Sequence, residues 1–225
     1  MTDRYRKPED LPATVAVFPL RGVILLPRST LPLNVFEPRY LAMVNDVLAG
    51  DRMLAVLQPK APADDDQSPQ GKEFPLRKVG GVGRLTAFSE TDDGRVLITL
   101  TGISRFELAG EQEIDEPYRI IQPDYTPYAD DLTRGEGEDD VNREQLLTVL
   151  KTYLEAHELT ADWDSINHST NERLVNTLSM ISPYGAEEKQ ALLEAPDLKS
   201  RADVLVALAE MELAARDDGT ESTMQ

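Results

Sequence analysis

The sequence predicts an α+β protein in which strands come first and helices follow. Two observations lead to this fold class. The first half contains short, β-branched apolar segments separated by Pro, Gly and Asp-Gly, which is typical of strands and turns. The second half contains apolar residues at helical spacing, interrupted by Pro. A composition of 40% apolar and 28% charged residues indicates a globular chain rather than a disordered one.

The predicted strands are short because proline, which cannot donate to a ladder, separates several of them. They lie at residues 15–18, 22–26, 31–36, 53–58, 79–89, 95–101, 103–108 and 118–122. Between two of them, Thr91-Asp92-Asp93-Gly94 predicts a hairpin turn, because Asp-Gly readily adopts positive φ values. Short strands at regular spacing favour an antiparallel barrel or sandwich.

One helix interrupts the strands. Apolar residues between Pro38 and Ala49 fall on one helical face, and proline suits the first helical position because its missing N–H is no loss there. Glu37 then lies near the positive end of the helix dipole, and Gly50 is a suitable stop.

The second half predicts a series of helices. Ser169-Thr170-Asn171-Glu172 has the pattern of a capping box with Ser169 as the cap. Pro183 and Pro196 end helical segments, and Asp197 or Ser200 caps the last helix. Residues 217–225 have no apolar periodicity and are predicted to be a disordered tail.

The charge is distributed unevenly along the chain. The formal net charge is −18, from 23 basic and 41 acidic residues, yet residues 1–127 carry only −4 of it. Residues 128–140 (YADDLTRGEGEDD) are acidic and poor in apolar residues, which predicts a solvated linker. The predicted domains are therefore a β-rich unit at 1–127, a linker at 128–140 and a helical unit at 141–216.

The composition argues against several classes of function. The chain has no Cys and two His residues, which excludes thiolate chemistry and a three-His metal site. The acidic run Asp64–Asp66 lacks the ligand spacing of an EF-hand, and no phosphate-binding loop is present. Gly81 and Gly83 are interpreted as structural glycines of a strand. We predict no catalytic residue, no cofactor and no metal.

The same composition bears on partners and location. A strongly acidic chain lacks the clustered Lys and Arg that phosphate contacts need, which argues against nucleic acid. No apolar stretch approaches the length of a membrane span, so no membrane association is expected. No signal-peptide core follows the start, and a cytoplasmic location is predicted.

Several motifs resemble the amino-terminal domain of Lon proteases. Residues 18–27 (FPLRGVILLP) and 31–40 (LPLNVFEPRY) closely resemble the opening of that domain. Residues 79–83 (VGGVG), 101–106 (TGISRF) and 187–195 (EEKQALLEA) resemble later motifs in the same order. The resemblance covers about residues 14–213, nearly the whole chain.

The resemblance implies a fold and a role. The fold is a PUA-like β-pseudobarrel of short, largely antiparallel strands with an inserted helix, followed by a helical subdomain. The ATPase and peptidase modules of Lon would follow the helices, so the resemblance implies a stand-alone, non-catalytic substrate-binding domain. It would bind polypeptide segments or a protein partner, for example a protease, in a role linked to ATP-dependent proteolysis.

Most residues of the matched opening are expected to maintain the fold. Arg21, Arg28, Arg39 and Tyr40 are the candidate binding residues, because Arg and Tyr are enriched at binding hot spots. Two other functions stay open at this point. One is RNA binding, by analogy with other PUA-like folds, which the charge opposes. The other is an unrecognised peptidase, which no motif supports; the oligomeric state is also open.

Overall fold

The computed structural model describes residues 4–60 and 74–221, with side chains described as far as Arg216. The chain divides into two compact units. The first consists of the described residues up to Arg134 together with Tyr184–Leu193. The second consists of Gly135–Pro183 and the described residues from Glu194 onward.

The first unit is built on one mixed sheet. Its strands are β1 (Val15–Pro19), β2 (Thr30–Val35), β3 (Met53–Leu57), β4 (Val79–Glu90), β5 (Val96–Gln112) and β6 (Arg119–Asp124). Their order is β2-β5-β4-β3-β1-β6, and β5 also pairs with β6. Strands β1, β3, β4, β5 and β6 therefore close into a ring, and β2 extends the sheet beyond it. Only the β1–β3 pair is parallel among these pairings, so the predicted pseudobarrel of largely antiparallel strands is confirmed.

The helices of the described chain are α1 (Pro38–Ala49), α2 (Arg143–Ala156), α3 (Trp163–His168), α4 (Asn171–Ile181), α5 (Ala186–Glu194) and α6 (Leu198–Glu221). The inserted helix α1 begins at Pro38, with Glu37 as the residue before it, and ends before Gly50, as predicted. The turn predicted at Thr91–Gly94 joins β4 to β5, and Gly94 has the positive φ of 79° that this turn requires.

The strands differ from the prediction in length. The two strands predicted at residues 95–101 and 103–108 form one 17-residue strand, β5. Its first part pairs with β2 and its last part with β6, so one strand spans the sheet from the extension to the ring closure. The register shift at Val82/Gly83 marks a bulge at Ile103 of β5, and the shift at Leu85/Ala87 marks a bulge at Thr86 of β4. Such bulges let long strands bend around a barrel.

The strand predicted at residues 22–26 is wrong. This segment has no strand pairing, yet Ile24, Leu25 and Leu26 are almost fully buried. The segment runs across glycines of the sheet: a Cβ on Gly81 would lie 2.0 Å from the Leu25 carbonyl oxygen, and one on Gly102 would lie 2.0 Å from that of Leu26. Its apolar residues are therefore buried by backbone contact with glycines. This close approach gives Gly81 the structural role that the sequence predicted.

The segment predicted as a solvated linker is partly ordered and buried. Thr126–Leu132 forms a 3-10 helix, and Asp131 is 9% exposed. The Asp131 carboxylate accepts hydrogen bonds from Nε and Nη2 of Arg105, at 2.9 and 2.8 Å, and from the Arg105 backbone N–H. The Arg105 guanidinium also lies 4.3 Å from the centre of the Tyr128 ring. The partner that buries Asp131 is remote in sequence, so local composition does not reveal it.

Helix α5 belongs largely to the first unit rather than to the helical unit. Two buried amides connect it to the sheet. Gln58 Nε2 donates to the Ala186 carbonyl at 2.9 Å and to Gln190 Oε1 at 3.0 Å, and Gln190 Nε2 donates to the Val79 carbonyl at 3.1 Å. Gln58 Oε1 accepts the Gly22 N–H at 2.7 Å. Because buried amides need partners, this network determines where α5 packs.

Lys189 is the buried cation of α5. It is 3% exposed, and burial lowers the pKa of its ammonium to about 8. In the unfolded chain the same group keeps a pKa near 10.4. Between about pH 8 and 10 the unfolded state therefore binds more protons than the folded state, and the stability rises with pH.

We expect the free energy of unfolding to increase by about 1 kcal/mol per pH unit above pH 8 because of this group. Urea unfolding at pH 7.0, 8.5 and 9.5 measures the effect. Lys189→Met should remove the increase, and the exposed Lys60→Met should retain it. Equal slopes in Lys189→Met and the unchanged protein would contradict the assignment.

The second unit is helical. Helix α6 contacts both α2 and α4, and it buries an apolar stripe formed by Leu198, Ala202, Leu205, Val206 and Ala209. The cap of α4 is Thr170, whose side chain accepts from the Arg173 N–H, so the capping residue predicted at Ser169 is wrong by one position. Asp197 caps α6 by accepting the Ser200 N–H at 2.7 Å, which is one of the two predicted caps.

The predicted disordered tail overlaps the end of α6. The helix continues to Glu221, and residues 222–225 lie outside the described residues. His157, one of the two histidines, is the residue that ends α2, and its ring stacks on Tyr153 with centroids 4.1 Å apart. Its Nε2 lies 3.1 Å from Glu212 Oε1, which connects the end of α2 to α6.

Candidate functional site

The outer face of the sheet extension β2–β5–β4 carries an unusual set of side chains. Residues paired directly across antiparallel strands point to the same face. Asn34, Leu97 and Ser89 form one such row. Pro32, Thr99 and Ala87 form the next row, two residues along, and therefore share that face. The opposite face carries buried residues such as Ile98 and Leu100.

A shallow groove of about 420 Å³ lies on this part of the sheet. Its lining contains no ionisable side chain and consists of Pro32, Leu33, Asn34, Ala87, Phe88, Ser89, Leu97, Ile98 and Thr99. On the outer face, Leu97 is 47% exposed and lies beside the exposed Pro32 and Ala87, whereas Phe88 pairs with Ile98 and belongs to the opposite face. Exposed apolar side chains that cluster in this way mark interaction surfaces more often than isolated ones do. We call this surface the apolar groove.

Strand β2 also leaves one edge unpaired, since its only strand partner in the described sheet is β5. The Gly102 N–H donates to the Ser29 carbonyl at 2.9 Å, so the Ser29–Gly102 pair is a hydrogen-bonded one. Alternation along an antiparallel ladder then turns the backbone groups of Thr30, Pro32 and Asn34 away from β5. Pro32 lies at a position where its missing N–H costs no ladder bond. The free edge offers carbonyls with which an added strand could pair.

The sequence contains a signal for this surface in its apolar alternation, although no contiguous motif reveals it. In residues 95–101 (RVLITLT), Val96, Ile98 and Leu100 form the inward-facing set. Leu97 lies between these residues in sequence and therefore points to the opposite, solvent-exposed face of the strand, where a polar residue is expected. An apolar residue at a solvent-facing position, beside an edge strand, is therefore the feature that points to binding. The lining has no ionisable side chain that could serve as an acid or base or activate the Ser89 and Thr99 hydroxyls, so the apolar groove is suited to binding.

The four candidate residues from the sequence lie elsewhere in the first unit. Tyr40 is 5% exposed, its ring stacks on Phe18 at 4.3 Å, and burial raises the pKa of its hydroxyl. Arg39 Nε donates to Glu37 Oε2 at 3.0 Å, and its guanidinium lies 4.5 Å from the Tyr40 ring centre. These two residues therefore contact one another at the start of α1.

The other two candidates lie in the loop between β1 and β2. Arg28 Nη1 donates to the Asp131 carbonyl at 2.7 Å, and the residue has a φ of 59°. Arg21 is exposed beside Gly22, whose φ is 70°. None of the four lines the apolar groove. Their part in binding stays a prediction.

Two absences apply to residues 4–60 and 74–221. Within these ranges, no three His, Asp or Glu side chains come close enough together to hold a metal ion. The acidic run Asp64–Asp66 lies outside the described residues. Over the same described part of the chain, no helix combines the length and the apolar character needed to span a membrane.

Comparison with known protein families gives one match over most of the chain. Residues 14–210 match the model of the ATP-dependent protease La (LON) substrate-binding domain. Among curated proteins, the Lon protease of Flavobacterium johnsoniae is 26% identical over 204 residues, covering 86% of this chain and 23% of that protein. Lon protease 2 of Sorangium cellulosum is 28% identical over 213 residues, covering 89% of this chain and 25% of that protein. The chain thus spans about a quarter of the length of these relatives.

Two solved structures share the fold. The Lon N-terminal domain protein from Xanthomonas campestris aligns with a TM-score of 0.59 at 22% identity, covering 86% of this chain and 97% of that one. The N-terminal domain of the Mycobacterium avium complex Lon protease aligns with a TM-score of 0.61 at 18% identity, covering 88% and 98%. The family match over residues 14–210 and the shared fold lead to one conclusion: this chain belongs to the family of LON substrate-binding domains.

Proposed function

We propose that this chain binds extended, uncharged and apolar segments of polypeptide in the apolar groove. It does so as a non-catalytic recognition domain linked to Lon-type proteolysis. The observation that carries the proposal is the groove itself: a surface exposing Leu97 beside Pro32 and Ala87 in a chain that is otherwise rich in charge. The family match supports the class of ligand, because a substrate-binding domain of a protease meets polypeptide.

The groove selects its ligand by charge. A Lys or Asp side chain placed against the groove would lose water and find no ionic partner in the lining, which is unfavourable. An apolar segment loses little on entering and gains from the area it buries. Segments of this kind are buried in folded proteins and exposed in unfolded ones. The groove would therefore distinguish unfolded from folded polypeptide.

The free edge of β2 suits the same ligand. An extended segment that pairs with the carbonyls of Thr30, Pro32 and Asn34 would place alternate side chains over the outer face. Backbone pairing of this kind does not depend on sequence, whereas the groove favours apolar side chains. Together they would give broad recognition of unfolded chains.

The decisive experiment measures binding to an unfolded protein. We expect the full chain to bind β-casein. Leu97→Ser should raise the dissociation constant about tenfold, because truncating a central apolar contact typically costs about 1 to 2 kcal/mol of binding free energy. Leu97 is half exposed, so the substitution should leave the melting temperature unchanged. Fluorescence anisotropy of labelled casein gives the affinity.

Ile181→Ser is the matched control. Ile181 is an exposed apolar residue of α4 in the second unit, 69% exposed, and its substitution should leave the affinity unchanged. Equal affinities for the unchanged protein, Leu97→Ser and Ile181→Ser would refute the groove as the binding site. Failure of the unchanged protein to bind any unfolded chain would refute the function.

A further inference from the structure

A second pocket of the first unit is rich in arginine, unlike the apolar groove. It has a volume of about 250 Å³, and its lining includes Arg4, Arg52 and Arg84 together with Tyr5, Asp10 and Asp51. In a chain with a net charge of −18, three arginines against two aspartates make the lining of this pocket net positive. We call it the arginine pocket.

Hydrogen bonds from Nη1 hold the guanidinium of Arg84 in place. Its Nη1 donates to the Tyr5 hydroxyl at 3.2 Å and to the Asp51 carbonyl at 3.1 Å. Its Nε and Nη2 make no hydrogen bond with the described residues. The group is therefore orientated in advance, with its Nε–Nη2 edge available for an external ligand.

Other arginines of this unit show what that edge binds. Arg105 uses Nε and Nη2 to hold both carboxylate oxygens of Asp131, and Arg119 holds Glu111 in the same way. Arg39 also directs this edge at a carboxylate, that of Glu37. The planar edge matches the spacing of two carboxylate oxygens. Arg84 lines the arginine pocket, and its Nε and Nη2 meet no acid among the described residues.

The two acids of the pocket, Asp10 and Asp51, form no ion pair with its arginines among the described residues. Asp10 accepts the backbone N–H groups of Arg6 and Lys7 at 2.9 and 3.2 Å, and the first of these is the main cause that lowers the pKa of its carboxyl. Within the described residues, no carboxylate oxygen lies within 4 Å of the guanidinium nitrogens of Arg4 or Arg52. Arg4 and Arg52 thus have no ion-pair partner in the part of the chain that the structure describes.

Arg52 adds an independent observation. Its φ is 59°, in the left-handed region that glycine and asparagine occupy at lower cost. An arginine in this conformation is strained, and strain of this kind concentrates at functional sites. The backbone turn alone would be served better by glycine.

We propose that the arginine pocket binds a carboxylate group of a polypeptide, supplied by a chain's C-terminus or by an acidic side chain. The Nε–Nη2 edge of Arg84 holds the two oxygens, and Arg4 and Arg52 contribute the surrounding positive charge. That the carboxylate belongs to a polypeptide rests on the proposed function. The preference for a carboxylate rests on the pocket alone.

The test is an NMR titration of the full, isotope-labelled chain with short alanine peptides, which are too small and too weakly apolar to occupy the groove. The probes are N-acetyl-tetra-alanine with a free C-terminal carboxylate, the same peptide as its C-terminal amide, and that amide with one Ala replaced by Asp. We expect the free carboxylate to shift the backbone amides of Gly50, Asp51 and Arg52, and the plain amide to shift none. Binding of the Asp peptide would show that side-chain carboxylates are also accepted.

Two variants separate binding from folding. Arg84→Lys keeps the charge but loses the planar edge, and we expect about tenfold weaker binding, the loss typical of one hydrogen bond to a charged group. Arg52→Gly relieves the left-handed strain, so its melting temperature should equal or exceed that of the unchanged protein while peptide affinity falls. Arg95→Lys is the matched control, since Arg95 is an exposed arginine paired with Asp93 on the β4–β5 hairpin.

Each outcome bears on the proposal. Equal shifts by the acid and amide peptides would overturn it, and so would unchanged affinity in both Arg84→Lys and Arg52→Gly. If Leu97→Ser loses casein binding but still binds the peptide carboxylate, the result would support both the apolar groove and the arginine pocket. Carboxylate binding without any casein binding would refute the groove and retain the pocket.

Discussion

Asp131→Ala is expected to lower the free energy of unfolding by about 3 to 5 kcal/mol, the typical cost of breaking a buried ion pair by removing one partner. Arg105 is 3% exposed and directs both Nε and Nη2 at this carboxylate. Its Nη1 donates to the Leu193 carbonyl at 3.1 Å, so the guanidinium also reaches the end of α5. Without Asp131, the buried guanidinium loses the carboxylate that accepts from its Nε and Nη2, and the 3-10 helix Thr126–Leu132 loses these hydrogen bonds to β5. Urea denaturation followed by circular dichroism measures the loss.

A double variant tests the cause. Arg105→Met combined with Asp131→Leu removes both charges, and we expect it to recover most of the loss, because apolar replacement of a buried ion pair is often neutral or stabilising. Lys78→Ala is the control: Lys78 pairs with Glu107 at 2.8 Å but is 67% exposed, so its loss should leave the stability nearly unchanged. A double variant as unstable as Asp131→Ala would assign the effect to packing instead.

Gly102→Ala is expected to destabilise the first unit by about 3 kcal/mol or more, at the upper end for overpacking. The added Cβ would lie 2.0 Å from the Leu26 carbonyl oxygen and 2.8 Å from its carbon. Neither backbone can move away easily. The Gly102 N–H donates to the Ser29 carbonyl at 2.9 Å, and the Arg28 N–H donates to the Gly102 carbonyl at 2.8 Å. Thermal unfolding monitored by circular dichroism measures the effect.

Gly110→Ala is the matched control in the same strand. The nearest atom to its Cβ would be the side-chain oxygen of Gln122 at 3.2 Å, which can rotate away. We expect a change of less than about 1 kcal/mol. If Gly102→Ala and Gly110→Ala were equally stable, the tight crossing of residues 24–26 over the sheet would be contradicted.

Much of the fold was predictable because it depends on local pattern. Helix α1 follows from apolar spacing after Pro38, and the β4–β5 turn follows from Asp93-Gly94. The strand predicted at residues 22–26 is wrong because an apolar run is typical of a strand. Here the run is buried because its backbone packs directly against Gly81 and Gly102. The sequence pattern shows that a residue is apolar, but it does not show which part of the folded backbone buries that residue.

The candidate sites were less predictable. Arg28, Arg39 and Tyr40 stood out by residue type, but the structure engages each of them in internal contacts. Leu97 was discoverable as an apolar residue on the polar face of an alternating strand. Arg84 was not, because its distinguishing feature is a guanidinium edge without an internal acid, and that property exists only after the chain has folded.

The sequence by itself determined the α+β class, the strands that make the sheet, the inserted helix and the family. Each of these features depends on the spacing of apolar residues or on contiguous motifs. Tertiary structure alone decided the closure of the ring through β5 and β6, the burial of Asp131 on Arg105, and the placement of Arg52 and Arg84 at one pocket. Each of these joins residues far apart in the chain. Such contacts depend on how the elements pack, which no local pattern specifies.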